Sequence, residues 1–291
     1  EGAVDWIDRE LDILPTRPQD QFEIAPEVME ELRTEVFPYW RGKTLEEAVA
    51  TRVPADVRRG VEGKTVSLNQ TDHAQGHILP DVAGWLRLGI GGLRERIVAA
   101  RQGPDVQSPD QQTFYDAALI ALEAAEVLIR RYASLASETA AADDDPRRRG
   151  ELSRIAGICD HIATAAPRTF HEALQSLWFL FVLLQMESNA SSFSPGRLDQ
   201  TLWPYLEADL AAGRLALEDG QTLIERLWLK FNEVVLLRSS SSARYFAGFP
   251  IGFNIVVGGQ RPEGSDATNV LSYMCLRAQA DLGLTQPNLS I

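Results

Sequence analysis

Apolar positions recur every three or four residues along most of the chain. From Phe114 to Leu135 they line one face of an α-helix. Just upstream, Ser108-Pro109-Asp110-Gln111 offers an N-cap serine, a proline at the first helical position and a glutamine placed for a capping box. This helix is expected to stop near Asp143-Asp144-Asp145-Pro146-Arg147-Arg148-Arg149, a charged hinge whose proline begins the next helix, Arg148 to Ile162. Thr169-Phe170-His171-Glu172 reads as a second capping box, opening an apolar helix that runs to Glu187. Leu198 to Leu210 and Leu217 to Leu237 read as two more helices, separated around Gly213. The pattern turns strand-like at Ile251 to Val257, where β-branched residues run into Gly258-Gly259, an expected tight turn. A helix from Asp266 to Leu282 and a short strand at Asn288 to Ile291 follow, the local order of a βαβ crossover. Ser239 to Ser242 reads as an exposed loop, and no internal repeat is seen.

The sharpest change of pattern falls after Glu187. Leu177 to Met186 is strongly apolar, and Ser188 to Gln200 is small, hydroxylated and charged, as where a buried helix ends at the wall of a polar cavity. The apolar run is far short of the roughly 20 residues that span a bilayer. With 41 acidic against 28 basic residues the formal charge is −13, which repels phosphate backbones and anionic membranes. Neither nucleic acid nor membrane is therefore an expected partner. An apolar content of 45% over 291 residues suffices for a large core. Two cysteines without partnered spacing point to a reducing compartment, the cytoplasm. The chain opens on Glu1 rather than methionine and closes on the apolar Leu289-Ser290-Ile291, as expected of a piece of a longer polypeptide.

Several motifs bear on chemistry. His73 and His77 lie four apart, a zinc spacing, but Ala74 stands where a zinc protease needs its glutamate, and no third Cys or His ligand is nearby. Gly89-Ile90-Gly91-Gly92 lacks the preceding strand of a phosphate loop, and Pro146 with Arg147 to Arg149 breaks and neutralises the Asp143 cluster as a magnesium motif. No metal site is expected. Ser191 and Ser192 either line the cavity or cap the apolar helix. Arg197 and Asp199 are expected to brace the cavity wall through a charge-assisted bond. His161, His171, Cys159 and Cys275 sit at helical positions among apolar neighbours and read as structural core residues.

The segment Glu187-Ser188-Asn189-Ala190-Ser191-Ser192-Phe193-Ser194-Pro195-Gly196-Arg197-Leu198-Asp199-Gln200 resembles the substrate-cavity segment of the glycyl radical enzymes, the pyruvate formate-lyase-like superfamily, in its dehydratase and decarboxylase branch. Arg168 to Phe179 is similar to that family's helix leading into the cavity. Trp40-x-Gly42-Lys43-Thr44, Gly76-His77-Ile78-Leu79-Pro80-Asp81, Phe253 to Gln260, Gly264 to Asn269 with Leu271-Ser272-Tyr273, and Gln286 to Ser290 follow in the family's order. The resemblance implies an α/β fold: residues 1–291 form the helix-rich N-terminal part of a ten-stranded barrel completed by further sequence.

It also implies a lyase that cleaves a C–O, C–N, C–S or C–C bond in a small polar substrate under anaerobic conditions. The glycyl radical would be installed by a radical-SAM activase and passed to a cysteine. Substrate contacts fall by resemblance on His77, Ser191 and Ser192, with His73 and Asp81 beside them. Ser191 replaces the histidine usual in diol dehydratases, which leaves choline, hydroxyproline, hydroxy-sulfonate and arylacetate lyases open. Neither cysteine lies in a Cys-x-Glu motif and no Arg-Val-x-Gly-Tyr loop is present, so the catalytic groups lie outside this chain, which alone is expected to be inactive. A homodimer is suggested by family analogy only. The rival readings are a noncatalytic helical binding module on the same fold, formate C-acetyltransferase-type activity in the parent protein, and an all-α metal enzyme.

Overall fold

The computed structural model describes residues 3–66, 76–103, 108–187, 192–248 and 251–291. It opens with α1 (Ala3–Glu10), α2 (Pro26–Glu31), a π-helical turn (Leu32–Val36), α3 (Phe37–Trp40), α4 (Leu45–Ala50) and α5 (Ala55–Glu62). Longer helices follow: α6 (Val82–Arg101), α7 (Pro109–Ala142), α8 (Pro146–Ile162), α9 (Phe170–Glu187), α10 (Leu198–Ala211) and α11 (Leu217–Glu233). The short α12 (Ser240–Phe246) precedes β1 (Asn254–Val256), α13 (Val270–Leu282) and β2 (Asn288–Ser290). The helix-rich character expected of the chain is thus observed.

The chain divides into two compact units. The first holds residues 1–78, 184–194 and 232–253, and the second 79–183, 195–231 and 254–291. In the first, Leu11, Leu14 and Phe37 form a small core, flanked by Val4, Ile7, Phe22, Met29 and Leu237. In the second, Phe231 collects the rings of Trp178, Phe181 and Trp228 edge-on, a favoured arrangement for aromatic quadrupoles.

The expected helix starts are present. Ser108 and Gln111 form the capping box of α7, and Asp145 caps α8, so the acidic cluster serves helix ends. The second box is only half formed: Thr169 accepts from the Glu172 N–H, but the Glu172 carboxylate turns to the Arg168 N–H at 2.6 Å. Asp209 of α10 takes the Phe170 N–H at 2.7 Å, another of the orphan donors at the start of α9. The glycine-rich run lies inside α6, where Gly89 has φ +62° and a Cβ would sit 2.5 Å from the Ala166 nitrogen. That approach lets the α8–α9 turn seat against α6.

Three boundaries differ from expectation. The helix expected to reach Leu237 stops at Glu233. Ser239 to Ser242 is not an exposed loop but the cap and first turn of α12, with the Ser239 hydroxyl accepting from the Ser242 N–H. The strand expected over Ile251 to Val257 is regular only at Asn254–Val256: before it the Ile251 carbonyl takes the Ser192 N–H, and after it the Val257 N–H still donates to Ser290 of β2. The βαβ crossover is observed: β1 and β2 are parallel, Ile255 opposite Leu289, with α13 between them. Gly258 and Gly259 both have positive φ, but they open a wider loop closed by the Gln260–Asp266 bridge rather than a tight turn. Among the described residues no helix is long and apolar enough to cross a membrane.

Candidate functional site

In the first unit three stretches of irregular backbone meet where α9 has ended. The Ser192 N–H donates to the Ile251 carbonyl at 2.7 Å, and the Ser194 N–H donates to the Ile78 carbonyl at 3.0 Å. Residues 76–78, 192–194 and 251–253 therefore lie side by side without forming a sheet. Ser192 is buried, at 9% exposure, and has φ +63°, a conformation that costs a side-chain-bearing residue free energy. Its hydroxyl lies 3.5 Å from the Ile251 carbonyl, at the limit of a hydrogen bond, so among the described residues most of its donor and acceptor capacity is unspent. Gly252, at φ +79°, permits this approach: a Cβ there would stand 2.5 Å from Ser192 Oγ.

His77 shares the left-handed conformation, with φ +57°, and is exposed. Its backbone is pinned by the bond to Ile78 immediately after it, so the imidazole is presented from a fixed base. The structure thus brings His77 and Ser192 into one backbone cluster. Asp81 belongs to the other unit and has a structural task, its Oδ1 capping α6 by accepting from the Gly84 N–H at 2.8 Å. His73 and Ser191 lie outside the described residues, and with them the His73–His77 pair. Among the described residues no group of acidic, His and Cys side chains is placed to hold a metal.

The second unit continues the polar stretch. Gly196 bridges β1, accepting from Val256 and donating to Asn254. Arg197 and Asp199 do not bond one another. Instead they hold the same residue by its two successive peptide groups: Arg197 Nη2 donates to the Gly258 carbonyl at 2.8 Å, and Asp199 Oδ2 accepts from the Gly258 N–H at 2.7 Å. Oδ2 also accepts from the Ser272 hydroxyl at 2.5 Å, while Asn269 donates to the Asp199 carbonyl. Asp199 is fully buried and lies in the first turn of α10 beside the start of α13, two helix N-termini that favour a negative charge. The expected bracing is real, but it runs through Gly258.

His161 and His171 are partly buried in helices, as expected. Cys159 and Cys275 are buried in α8 and α13. Burial pushes the Cys159 thiol up to about 11; burial, then the charge of Asp199, pushes Cys275 up further. Neither belongs to the Ser192 cluster. Neither cysteine fits the Cys-x-Glu motif that the resemblance implies, since Asp160-His161 and Leu276-Arg277 follow them.

Gly252 and the Asp199–Ser272 pair were not singled out from the sequence. A lone glycine within a strand-like run signals a close backbone approach, and Ser272 stands at the third helical position after the capping Asn269.

A family model described as pyruvate formate lyase-like matches residues 1–291. Isethionate sulfite-lyase of Nitratidesulfovibrio vulgaris is 32% identical over 98% of this chain and 36% of its own length. The (2S)-3-sulfopropanediol dehydratase of Klebsiella oxytoca is 34% identical over 99% of this chain and 36% of its own. The glycerol-bound B12-independent glycerol dehydratase from Clostridium butyricum superposes over 98% of this chain with a TM-score of 0.87, at 35% identity and 36% coverage of that enzyme. The chain spans about a third of the length of these relatives. On that evidence the chain belongs to the pyruvate formate lyase-like family of glycyl radical enzymes.

Proposed function

We propose that residues 1–291 are the N-terminal portion of a glycyl radical lyase, and that His77 and Ser192 contact its substrate. The parent protein would cleave a C–O, C–N, C–S or C–C bond in a small polar molecule. The observation that carries this reading is the junction of residues 76–78, 192–194 and 251–253, which fixes two polar side chains on strained backbone beyond a buried apolar helix. Strain of this kind concentrates at ligand sites. The glycyl radical, installed by a radical-SAM activase, supplies hydrogen abstraction from sequence outside this chain. What these residues do is bind and orient: the Ser192 hydroxyl can give one hydrogen bond and accept two, and the imidazole of His77 can meet a hydroxyl or an anionic oxygen. Ser191 is carried as a further contact by resemblance, His73 and Asp81 with less support, since Asp81 is occupied as a helix cap.

Among the relatives, the names isethionate sulfite-lyase and sulfopropanediol dehydratase describe hydroxylated sulfonates, and the lack of an imidazole at Ser191 keeps that class with choline, hydroxyproline and arylacetate substrates. The test is His77→Ala and Ser192→Ala in the full-length enzyme. Each is expected to lower kcat/KM several-fold with radical yield and melting temperature near wild type, because one lost neutral hydrogen bond costs about 0.5–1.5 kcal/mol and misplacement of the reacting carbon adds to it. Lowered melting temperatures with unchanged kinetics would reject both assignments.

A further inference from the structure

We propose that Asp20, far from Ser192 in sequence, is the positioning residue of the Ser192 segment, acting through α12. Three side chains of the stretch from α1 to Asp20 grip residues 238–248. Glu10 Oε2 accepts both the N–H and the hydroxyl of Ser240, at 2.8 and 2.7 Å, at the start of α12. Arg17, almost wholly buried, donates from Nη1 to the Arg238 carbonyl at 2.7 Å, just before it. Asp20 Oδ1 accepts from the Gly248 N–H at 2.8 Å, just after it. The grip is itself rigid: Nε and Nη2 of Arg17 both donate to the Asp20 carbonyl, locking that residue at φ +49°.

From Gly248 the chain passes to Ile251, whose carbonyl holds the Ser192 N–H, and to Gly252, against which the Ser192 hydroxyl rests. Asp20 is 92% buried by the complement of its 8% exposure, and its Oδ2 has no hydrogen-bond partner among the described residues. A buried carboxylate with one oxygen unanswered costs stability. Asp20 is therefore not explained as a stabilising surface contact; what it holds is the Gly248 N–H, two residues beyond the end of α12 and three before Ile251 in sequence.

The kinetic consequence rests on Ser192 meeting substrate; the coupling of Asp20 to Ser192 does not. Amide hydrogen exchange is therefore measured on the full-length protein for wild type, Asp20→Ala and Asp20→Asn. Asp20→Ala is expected to speed exchange at residues 192–194 by about tenfold or more through local opening, while the Gly258 and Leu271 amides of the other unit stay unchanged. Asp20→Asn keeps an acceptor for Gly248 and is expected to exchange like wild type. In turnover, Asp20→Ala is expected to lower kcat/KM several-fold, and the double variant Asp20→Ala/Ser192→Ala no further than Ser192→Ala alone. Unchanged exchange at 192–194, uniform acceleration throughout the protein, or an Asn variant that behaves like Ala would overturn the proposal. Should Asp20→Ala fail to fold, Glu10→Ala removes the acceptor for Ser240 at the other end of the same grip; no acceleration at Ser192 in that variant also overturns it. If exchange responds as expected but Ser192→Ala leaves turnover intact, the substrate assignment fails and the proposal loses its kinetic half.

Discussion

Asp199 carries a carboxylate where solvent does not reach, with two donors on one oxygen and two helix N-termini beside it. Removing it strands the Gly258 N–H and the Ser272 hydroxyl in the interior, each at about 1–3 kcal/mol. Asp199→Ala is expected to cost roughly 2–5 kcal/mol in urea unfolding on that basis, and Asp199→Asn less, since an amide oxygen still accepts. Equal losses for both would show that charge rather than hydrogen bonding dominates. Gly252→Ala adds a Cβ at positive φ, about 1–2 kcal/mol of strain, and drives it against Ser192 Oγ. It should therefore impair turnover and melting temperature together. His171 supplies a pH dependence. Burial first, then the charges of Arg154 and Arg226, hold its folded pKa below the ordinary 6.5. Between those two values the unfolded chain binds more protons, so stability rises with pH. The contribution is complete above about 6.5 and is lost as pH falls through the lower folded value. His171→Leu should flatten that part of the stability–pH curve; an unchanged slope would place the titration elsewhere.

At the scale of elements, α6 tests whether a close approach holds the fold. Gly89 combines φ +62° with a Cβ site 2.5 to 2.8 Å from the backbone of Ala165 and Ala166. Gly89→Ala must either separate α6 from the α8–α9 turn or distort it, and is expected to lower the melting temperature far more than Gly150→Ala, where a Cβ meets nothing. The helices were legible because their signals are local. The capping residues of α7 and the proline of α8 sit within a few positions of the bonds they form. The ends of the strands were not, because pairing is decided by distant partners: the Ile251 carbonyl goes to Ser192, and the Val256 N–H goes to Gly196. The serine run was misread although its cap is local, Ser239 to Ser242; only the further hold of Glu10 on Ser240 comes from a distant partner. His77 and Ser192 were singled out from motif context, and the structure places their backbones at one junction. Gly252 had a local signal that was not read, whereas the bond of Asp20 to Gly248 joins residues too distant in sequence for a local pattern to encode.

For the whole molecule, the family match extends over all 291 residues but only about a third of each relative. Among the described residues Phe114, Tyr245 and Ile291 stand at 68%, 83% and 87% exposure, and β2 is paired with β1 alone. Open strand edges favour association. This chain alone is expected to bind a hydrophobic dye and to give no glycyl signal by electron paramagnetic resonance after treatment with an activase; a doublet would overturn the reading that no glycine of this chain carries the radical. The βαβ crossover sets an order of events as well as a shape. The hairpin of α7 and α8 joins residues close in the chain, whereas Asn254 must wait for Asn288, with all of α13 between them, before β1 has its partner strand. Loop closure of that length makes such pairing slow. Asp199, which with Arg197 holds Gly258, gains its second donor only once Ser272 has arrived on α13. Refolding should thus pass through a species with its long helices formed and this lock still open. Weakening the lock by Ser272→Ala should hasten unfolding while leaving the folding rate nearly untouched.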